Sequence, residues 1–377
     1  MPLKTLNHEY ATPRKGRGAG INPEGRFEKV AREAFDDGWS QSPVAGEAGG
    51  ERREAVNPIP PLKTHVTVEY AKSIISRNDS PDIPFTQSIN PYRGCEHGCG
   101  YCYARPSHAY LNLSPGVDFE TRLFAKVNAA ELLRQELARP GYECDVISLG
   151  ANTDPYQPLE REYRITRGIL EVLAECEHPV GIVTKNAMVE RDIDILAPMA
   201  RKNLVNVYVS LNNLDHDLAR RLEPRCSAPA RRLEAMRRLS AAGIPVGVLV
   251  APVIPFLTDH QIEPVLEAAY EAGARTSGYV LMRLPWEVKD LFKDWLETHY
   301  PLKAKHVLNR VHQMRGGRDN DPNFGSRMRG SGEFADLLRK RFDIACERLG
   351  FNSGRRNRSL DTTCFRRPRP DGQMTLF

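Results

Sequence analysis

The chain of 377 residues has no apolar run long enough to cross a membrane, and residues 1–8 lack the apolar core of a secretory signal. Its eight cysteines show no disulfide pattern, which is typical of proteins in a reducing compartment. The net charge is a mild +5, so only a local excess of arginine can indicate a nucleic-acid partner. These absences predict a cytoplasmic protein that does not contact a membrane.

Three of the cysteines lie close together with the spacing C-x3-C-x2-C, at Cys95, Cys99 and Cys102. Thiolates so close in sequence converge on one metal centre only where the backbone curls tightly, and the glycines of the same stretch permit this. A disulfide framework would use an even number of cysteines at wider spacing. The pattern therefore predicts a metal site on a loop.

Two kinds of metal centre fit this spacing, because thiolate-rich sites hold either zinc or iron–sulfur clusters. A structural zinc site would be completed by His97 or by a distant cysteine. A centre with only three protein ligands instead has an open coordination position, which is typical of a site where chemistry takes place. No second tight group of cysteines occurs in the sequence, so we expect one such centre.

After residue 84, apolar runs typical of buried strands alternate with stretches of helical periodicity. The first strand is predicted near residues 85–89. Five further strands are predicted at residues 145–150, 180–185, 205–211, 246–251 and 278–283. Helices of about ten to fifteen residues separate the strands, which predicts an α/β fold with a parallel sheet of six β–α units.

Polar side chains follow several of these strands. Thr153 and Asp154 come after the second strand, Lys185 ends the third and Ser210 lies at the end of the fourth. The carboxyl ends of parallel strands in a barrel meet at one face, which is the usual active face. Taken singly, Asp154 and Ser210 could cap helices or turns and Lys185 could be solvated, but their shared position favours one pocket.

The cysteine spacing, with Tyr101 in the aromatic position of C-x3-C-x-aromatic-C, resembles the signature of the radical S-adenosylmethionine (radical SAM) superfamily. The resemblance implies a 4Fe-4S cluster bound by Cys95, Cys99 and Cys102, with S-adenosylmethionine (SAM) chelating the fourth iron. One electron, from a donor such as flavodoxin or ferredoxin, would then release methionine and a 5′-deoxyadenosyl radical. The fold that the resemblance implies is a partial (β/α)6 radical SAM barrel.

Within that superfamily, residues 85 to 285 resemble the spore photoproduct lyase branch. The resemblance implies that Thr153 with Asp154, Lys185 and Ser210 hold the methionine end of SAM. Tyr101 and Tyr103, which flank the last cluster cysteine, match as candidate catalytic residues. One position departs from the lyase, because Asn152 stands where that family has the cysteine that returns a hydrogen atom to the substrate. The resemblance therefore implies a relative of the lyase rather than the same reaction.

The remaining segments define the predicted domain organisation. Residues 1–55 are predicted to form a disordered, glycine-rich basic arm, residues 56–285 the barrel and residues 286–350 a helical extension with a flexible basic loop at 315–330. The tail, residues 351–377, carries six arginines between 355 and 369 and ends in Gln373, Leu376 and Phe377. This ending resembles the short peptide by which DNA polymerases and repair proteins bind the sliding clamp.

Three hypotheses follow from these patterns. The first is a radical SAM enzyme that abstracts hydrogen from a substrate, with DNA and the sliding clamp as expected partners in repair or modification. The second is a nucleic-acid-binding protein with a structural zinc site and no catalysis. The third is a cluster that only transfers electrons. The polar strand ends favour the first, because neither alternative requires them.

Overall fold

The computed structural model describes residues 16–27, 62–353 and 359–368. The clamp-like peptide at 373–377 and four of the six arginines between 355 and 369 lie outside these ranges. No helix in the described ranges is long and apolar enough to cross a membrane.

A seven-stranded sheet forms the centre of the molecule, and its strands follow the spatial order β10-β9-β8-β7-β6-β3-β2. All neighbouring strands are parallel except β2 and β3, which pair antiparallel. Valine and isoleucine dominate the longer strands, because β-branched side chains favour the extended backbone of a buried sheet. The strands of this sheet are β2 (Ile75–Arg77), β3 (Gln87–Ile89), β6 (Ile147–Leu149), β7 (Val180–Thr184), β8 (Val205–Ser210), β9 (Val246–Val253) and β10 (Thr276–Leu281).

Helices connect the parallel strands and cover the sheet, and their buried side chains join the strand side chains in one large apolar core. The helices up to the last strand are α1 (Asp118–Thr121), α2 (Ala129–Ala138), α3 (Glu160–Tyr163), α4 (Ile165–Glu175), α5 (Ile193–Arg201), α6 (His216–Leu222), α7 (Pro229–Ala241) and α8 (Ile262–Glu271). In the part of the chain that the structure describes, short 3₁₀ helices lie at Arg105–Leu111, Ala187–Asp192 and Asp259–Gln261. The predicted α/β fold with six β–α units is confirmed, with β3 and β6 to β10 as its parallel strands.

A second, three-stranded sheet lies beside the first and supports the cysteine loop. It consists of β1 (His65–Glu69), β5 (Arg122–Lys126) and β4 (Tyr92–Arg93), with β5 in the middle. Strand β1 pairs in parallel with β5 rather than with the barrel strands. Strand β4 ends directly before the cysteine loop, so this sheet fixes where the loop begins.

Residues 16–27 belong to the arm that was predicted to be disordered, and for these residues the prediction is corrected. Arg17, Ala19 and Ile21 are buried. The Arg17 guanidinium donates to the Glu120 carbonyl oxygen at 2.8 Å and to the Leu62 carbonyl oxygen at 2.7 Å. We call residues 16–27 the N-terminal strap. Its hydrogen bonds are made by polar side chains, such as those of Arg17 and Asn22, and by backbone amides.

The loop at residues 315–330, predicted to be flexible, is tied to both edges of the main sheet. At one edge, the Leu281 amide of β10 donates to the Met328 carbonyl oxygen at 3.0 Å. At the other, Asp82 in the β2–β3 connection accepts from the Gly325 amide at 2.6 Å and from the Arg327 guanidinium. This segment, the bridging loop, therefore spans the gap between the first and last strands of the open barrel.

The predicted helical extension consists of α9 (Val288–His299), α10 (Pro301–Gln313) and α11 (Glu333–Leu349). Phe292 and Trp295 of α9 pack in one buried apolar cluster with Cys99 and Tyr101 of the cysteine loop. Helix α11 joins the main core through Leu338 and Phe342. The extension therefore shares its apolar contacts with the barrel and with the cysteine loop.

Candidate active site

The cysteine loop follows β4 and curls back on itself, as its glycines predicted. Gly94 and Gly98 have φ values of +74° and +65°, in the left-handed region where glycine carries no steric cost. The Gly98 amide donates to the Cys95 carbonyl oxygen at 3.4 Å, and the Cys102 amide donates to that of Cys99 at 3.2 Å. Two successive turns thus bring the three cysteines into one small region.

The three thiols share this region without forming a preassembled metal site. Cys102 packs against Cys95 in one apolar cluster and against Cys99 in another. Burial and the nearby Cys99 thiol raise the pKa of Cys102 to about 12. No group of three His, Cys, Asp or Glu side chains within the described ranges stands close enough to hold a metal ion as it is. Three neighbouring thiols on a tightly curled loop nevertheless fit a 4Fe-4S cluster, which takes thiolate ligands.

Arg105 and Glu120 fix the backbone of this loop from beneath. Arg105 is completely buried, and its Nε donates to the Cys99 carbonyl oxygen at 2.9 Å while its Nη2 donates to the Glu120 carboxylate. The same carboxylate accepts from the strap amides of Gly18 at 3.0 Å and Ala19 at 2.8 Å. Glu120 therefore joins the strap to the cysteine loop. The sequence showed no motif around Glu120 that indicated this role.

Asp154 is placed after β6 as predicted, and every acceptor position of its carboxylate is occupied. Oδ1 accepts from the Tyr156 amide at 2.9 Å and the Thr184 hydroxyl at 2.7 Å. Oδ2 accepts from the Lys185 amide at 2.7 Å and lies 3.3 Å from Nδ1 of His97. Although burial raises the pKa of Asp154, the His97 charge and these hydrogen bonds lower it to about 2. Asp154 thus connects the ends of β6 and β7 to the cysteine loop.

His97 contacts Asp154 and Asn186 with its two ring nitrogens, at 3.3 Å each. Burial lowers the pKa of His97, but the Asp154 charge and the Cys95 thiol raise it to about 10. This imidazole was considered as a fourth ligand of a structural zinc site. Its Nδ1 is instead engaged by a carboxylate, which makes it a link between the loop and the strand ends.

Thr153, the other residue predicted after β6, holds the backbone with its side chain. Its hydroxyl donates to the Tyr92 carbonyl oxygen at 3.2 Å, and its amide donates to the Asn90 side chain at 3.2 Å. Asn90 also accepts from the Asn152 amide at 2.8 Å. Sequence reasoning missed Asn90, although its position directly after β3 places it among the strand ends.

Lys185 and Ser210 provide the available polar groups of the site. Neither the Lys185 ammonium nor the Ser210 hydroxyl has a hydrogen-bond partner among the described residues. Burial lowers the pKa of Lys185, but the negative charges of Cys99 and Glu223 outweigh it and raise the pKa above its ordinary value. The ammonium therefore stays charged beside the cysteine loop, where it can accept an anionic group of a ligand.

The two predicted catalytic tyrosines lie in different environments. Tyr101 is buried, and its hydroxyl donates to Glu223, which also pairs with Arg232. Tyr103 is 53% exposed, and its hydroxyl donates to the Ala151 carbonyl oxygen after β6. Only Tyr103 therefore presents a ring surface to an incoming substrate, whereas Tyr101 supports the loop from inside.

Comparison with known proteins identifies relatives of this arrangement. The family model described as Radical SAM superfamily matches residues 89–269. An uncharacterized protein of Mycobacterium tuberculosis is 39% identical over 221 residues, which cover 58% of this chain and 65% of that protein. An uncharacterized protein of Methanocaldococcus jannaschii is 27% identical over 241 residues, which cover 64% of this chain and 86% of the relative. The chain thus spans about two thirds of the length of the mycobacterial relative.

Among solved structures, spore photoproduct lyase complexed with dinucleoside spore photoproduct superposes with a TM-score of 0.53. The alignment covers 76% of this chain and 80% of the lyase chain at 17% sequence identity, so it shows a shared fold. The family match begins at the end of β3 and includes the cysteine loop with the ends of β6, β7, β8 and β9. Residues 89–269 of this chain are therefore similar to the radical SAM superfamily.

Proposed function

We propose that this chain is a radical SAM enzyme whose 4Fe-4S cluster is held by Cys95, Cys99 and Cys102. When bound, the cluster supplies one electron to the sulfonium of SAM, which yields methionine and a 5′-deoxyadenosyl radical that abstracts hydrogen from a substrate. The observation that carries the proposal is the position of the three thiols beside an available ammonium group, that of Lys185, at the carboxyl ends of the parallel strands.

The chain's own residues bind and orient SAM in this proposal. Lys185 and Ser210 have free polar groups suited to the methionine carboxylate, because an ammonium and a hydroxyl both donate to carboxylate oxygens. Asp154 is proposed for the SAM ammonium. The Asp154 carboxylate already accepts from three donors and lies against His97. Direct contact between Asp154 and the SAM ammonium therefore requires His97 to move away. Thr153 contributes by fixing the backbone through Tyr92.

The substrate is proposed to meet the site at Tyr103, the tyrosine with an exposed ring. Tyr101 is proposed as a positioning residue, because its hydroxyl donates a hydrogen bond to Glu223 inside the protein. Asn152 has a carboxamide instead of a thiol, so it has no S–H hydrogen atom to transfer to a substrate. The proposed reaction therefore does not use a cysteine at this position as hydrogen donor.

Nucleic acid is the proposed class of substrate, with DNA repair or modification as the setting. The support is the six arginines between residues 355 and 369, since clustered arginine is typical of contact with phosphates. Gln373, Leu376 and Phe377 are proposed to dock on the sliding clamp, and a flavodoxin or ferredoxin is proposed as electron donor. A pull-down with the purified clamp, using full-length chain and a chain ending at residue 372, tests the docking: loss of binding in the shorter chain is expected.

The test of the enzyme proposal is anaerobic. The cluster is reconstituted and reduced with dithionite, SAM is added, and 5′-deoxyadenosine is measured by chromatography. We expect product from the wild-type chain and none from the Cys95→Ala, Cys99→Ala, Cys102→Ala triple variant. Uptake of zinc alone, without iron and acid-labile sulfide, would refute the proposal. Iron uptake without SAM binding would instead indicate electron transfer as the only role.

The proposed SAM contacts are tested by binding measurements on the reconstituted protein. Lys185→Ala should weaken SAM binding roughly tenfold or more, because it removes a charge-assisted hydrogen bond, while iron content stays unchanged. Lys202→Ala is the matched control, since Lys202 is exposed and pairs with Glu177. Equal SAM affinity in the Lys185 variant and the control would show that Lys185 does not bind SAM.

A further inference from the structure

Arg283 follows β10 at the face of the sheet that carries the site, and its guanidinium forms no salt bridge within the described ranges. Burial and the Arg327 charge lower the pKa of Arg283, while Asp82 and Asp321 act in the opposite direction. The one hydrogen bond of Arg283 within the described ranges runs from Nη1 to the sulfur of Met328 at 3.4 Å. Its Nε is buried and has no partner there. A partly buried guanidinium without a salt bridge is costly, so a bound anion would stabilise it.

A second arginine lies behind the first and increases the local positive charge. Arg315 is only 2% exposed, and its Nη2 donates to the carbonyl oxygens of Leu281 at 3.0 Å and Met282 at 2.8 Å. Burial and the Arg283 charge lower the pKa of Arg315 to about 10. Arg315 holds β10 and the bridging loop together through neutral carbonyl groups, so its positive charge adds to that of Arg283.

Exposed aromatic rings border these arginines. Tyr103 lies close enough for the Arg283 and Lys185 charges to act on its hydroxyl, and more than half of its surface is exposed. Phe324 of the bridging loop is 57% exposed, with the Arg327 guanidinium 4.5 Å from its ring centroid. The positive charge of Arg327 in turn lies close enough to Arg283 to lower its pKa. Positive charge between exposed aromatic rings is typical of surfaces that bind single-stranded nucleic acid.

We propose that Arg283 binds a backbone phosphate of a single-stranded nucleic acid and thereby places a base against the exposed ring of Tyr103. This inference rests on the proposed function, because it names the group by which that substrate is recognised. The planar guanidinium fork matches phosphate oxygens. The neighbouring rings supply stacking surfaces that a paired base could not reach.

The experiment measures binding of a fluorescent single-stranded DNA oligonucleotide to the reconstituted protein over a range of salt concentrations. Arg283→Gln should weaken binding roughly tenfold or more, and Arg283→Lys should weaken it less because the charge remains. Each phosphate contact on a single strand contributes about 0.7 to the slope of log affinity against log salt. The Arg283→Gln slope should therefore be smaller than the wild-type slope by about 0.7.

Arg275→Gln is the matched control, because this substitution also removes one arginine charge. Arg275 directly precedes β10, at the end of the strand opposite to Arg283. Its guanidinium donates to the Tyr270 and Ala274 carbonyl oxygens at 2.8 and 2.7 Å, away from the site. Binding and salt slope should be unchanged in this variant. Iron content and SAM affinity, measured on both variants, show whether each chain is correctly folded.

Three results would overturn the inference. The first is equal affinity of the wild-type and Arg283→Gln proteins for the oligonucleotide. The second is equal binding of an oligonucleotide with an uncharged methylphosphonate backbone. The third is equally strong competition by deoxynucleoside 5′-monophosphates, which would identify a free nucleotide rather than a strand as the ligand. Formation of 5′-deoxyadenosine is measured separately, so failure of the enzyme proposal is recognised independently of these outcomes.

Discussion

Gly18→Ala should separate the N-terminal strap from the cysteine loop. A Cβ atom at this position would lie 1.6 Å from the Gly98 carbonyl oxygen and 2.8 Å from the Gly98 carbonyl carbon. Both are backbone atoms of the segment between Cys95 and Cys99, so neither can move aside without deforming the loop. The strap must therefore shift away from the loop to accommodate a single methyl group.

The cost of this shift follows from the contacts that the strap makes. The Gly18 and Ala19 amides both donate to the Glu120 carboxylate, and hydrogen bonds to charged groups contribute about 1.5–3 kcal/mol each. Losing both would reduce the free energy of unfolding by about 3–6 kcal/mol. At about 2.1 cal/mol/K of unfolding entropy per residue, a 3 kcal/mol loss lowers the melting temperature by roughly 4 °C. Glu120 would keep its bond to Arg105, so the loop itself should remain folded.

The assay compares iron and sulfide content after anaerobic reconstitution, the rate of cluster loss in air and the melting temperature. Gly18→Ala should show all three changes: lower cluster content, faster loss and a lower melting temperature. Gly20→Ala is the control within the strap, because its Cβ would meet only Oδ2 of Asp294, the end of a movable side chain, at 2.7 Å. If Gly18→Ala matched wild type in every measurement, the strap would have no part in holding the cysteine loop.

Three further outcomes are expected. The Cys99 and Cys226 sulfurs lie 3.8 Å apart, so oxidised glutathione should convert the metal-free thiols to a disulfide that blocks iron uptake until reduced, and Cys226→Ser should abolish this block. Burial lowers the pKa of His178 to about 4. As pH falls from about 6.5 to 4, His178 is therefore protonated in the unfolded chain but not yet in the folded one. This difference reduces the free energy of unfolding by about 3 kcal/mol. His178→Gln should make the free energy of unfolding, measured by denaturation, less dependent on pH in this acidic range. Asp82→Ala removes the acceptor of Arg327, so trypsin should cut the bridging loop roughly tenfold faster, and an unchanged rate would contradict the described anchoring.

Much of the barrel could be predicted from the sequence, because burying one face of a strand or helix requires apolar residues at regular intervals. Strand β7, for example, was predicted at residues 180–185 and runs from Val180 to Thr184. The strap could not be predicted in this way. It is held by backbone amides and by glycines that allow close approach, and neither leaves an apolar pattern in the sequence. The two-residue strand β4 is too short to show any period.

The site was predictable to the extent that strand ends of one sheet must converge. Lys185 was placed in this way, and the structure brings its charge near Cys99, Glu223 and Asp154. The pairing of His97 with Asp154 was not foreseen, because most of the chain between the barrel strands β3 and β6 separates the two residues in the sequence. Arg283 was identified only as the end of a predicted strand, since nothing in a sequence shows that an arginine lacks an acidic partner.

The bridging loop has a consequence for how the chain is synthesised. Its residues leave the ribosome after β10 and after helices α9 and α10, although the edge at β2 was made more than 200 residues earlier. Until the loop emerges, the Leu281 amide of β10 has no partner from this loop, and unpaired groups at a sheet edge attract other strands. A chain that stops before residue 315 therefore retains every barrel strand yet leaves the β10 edge open to aggregation.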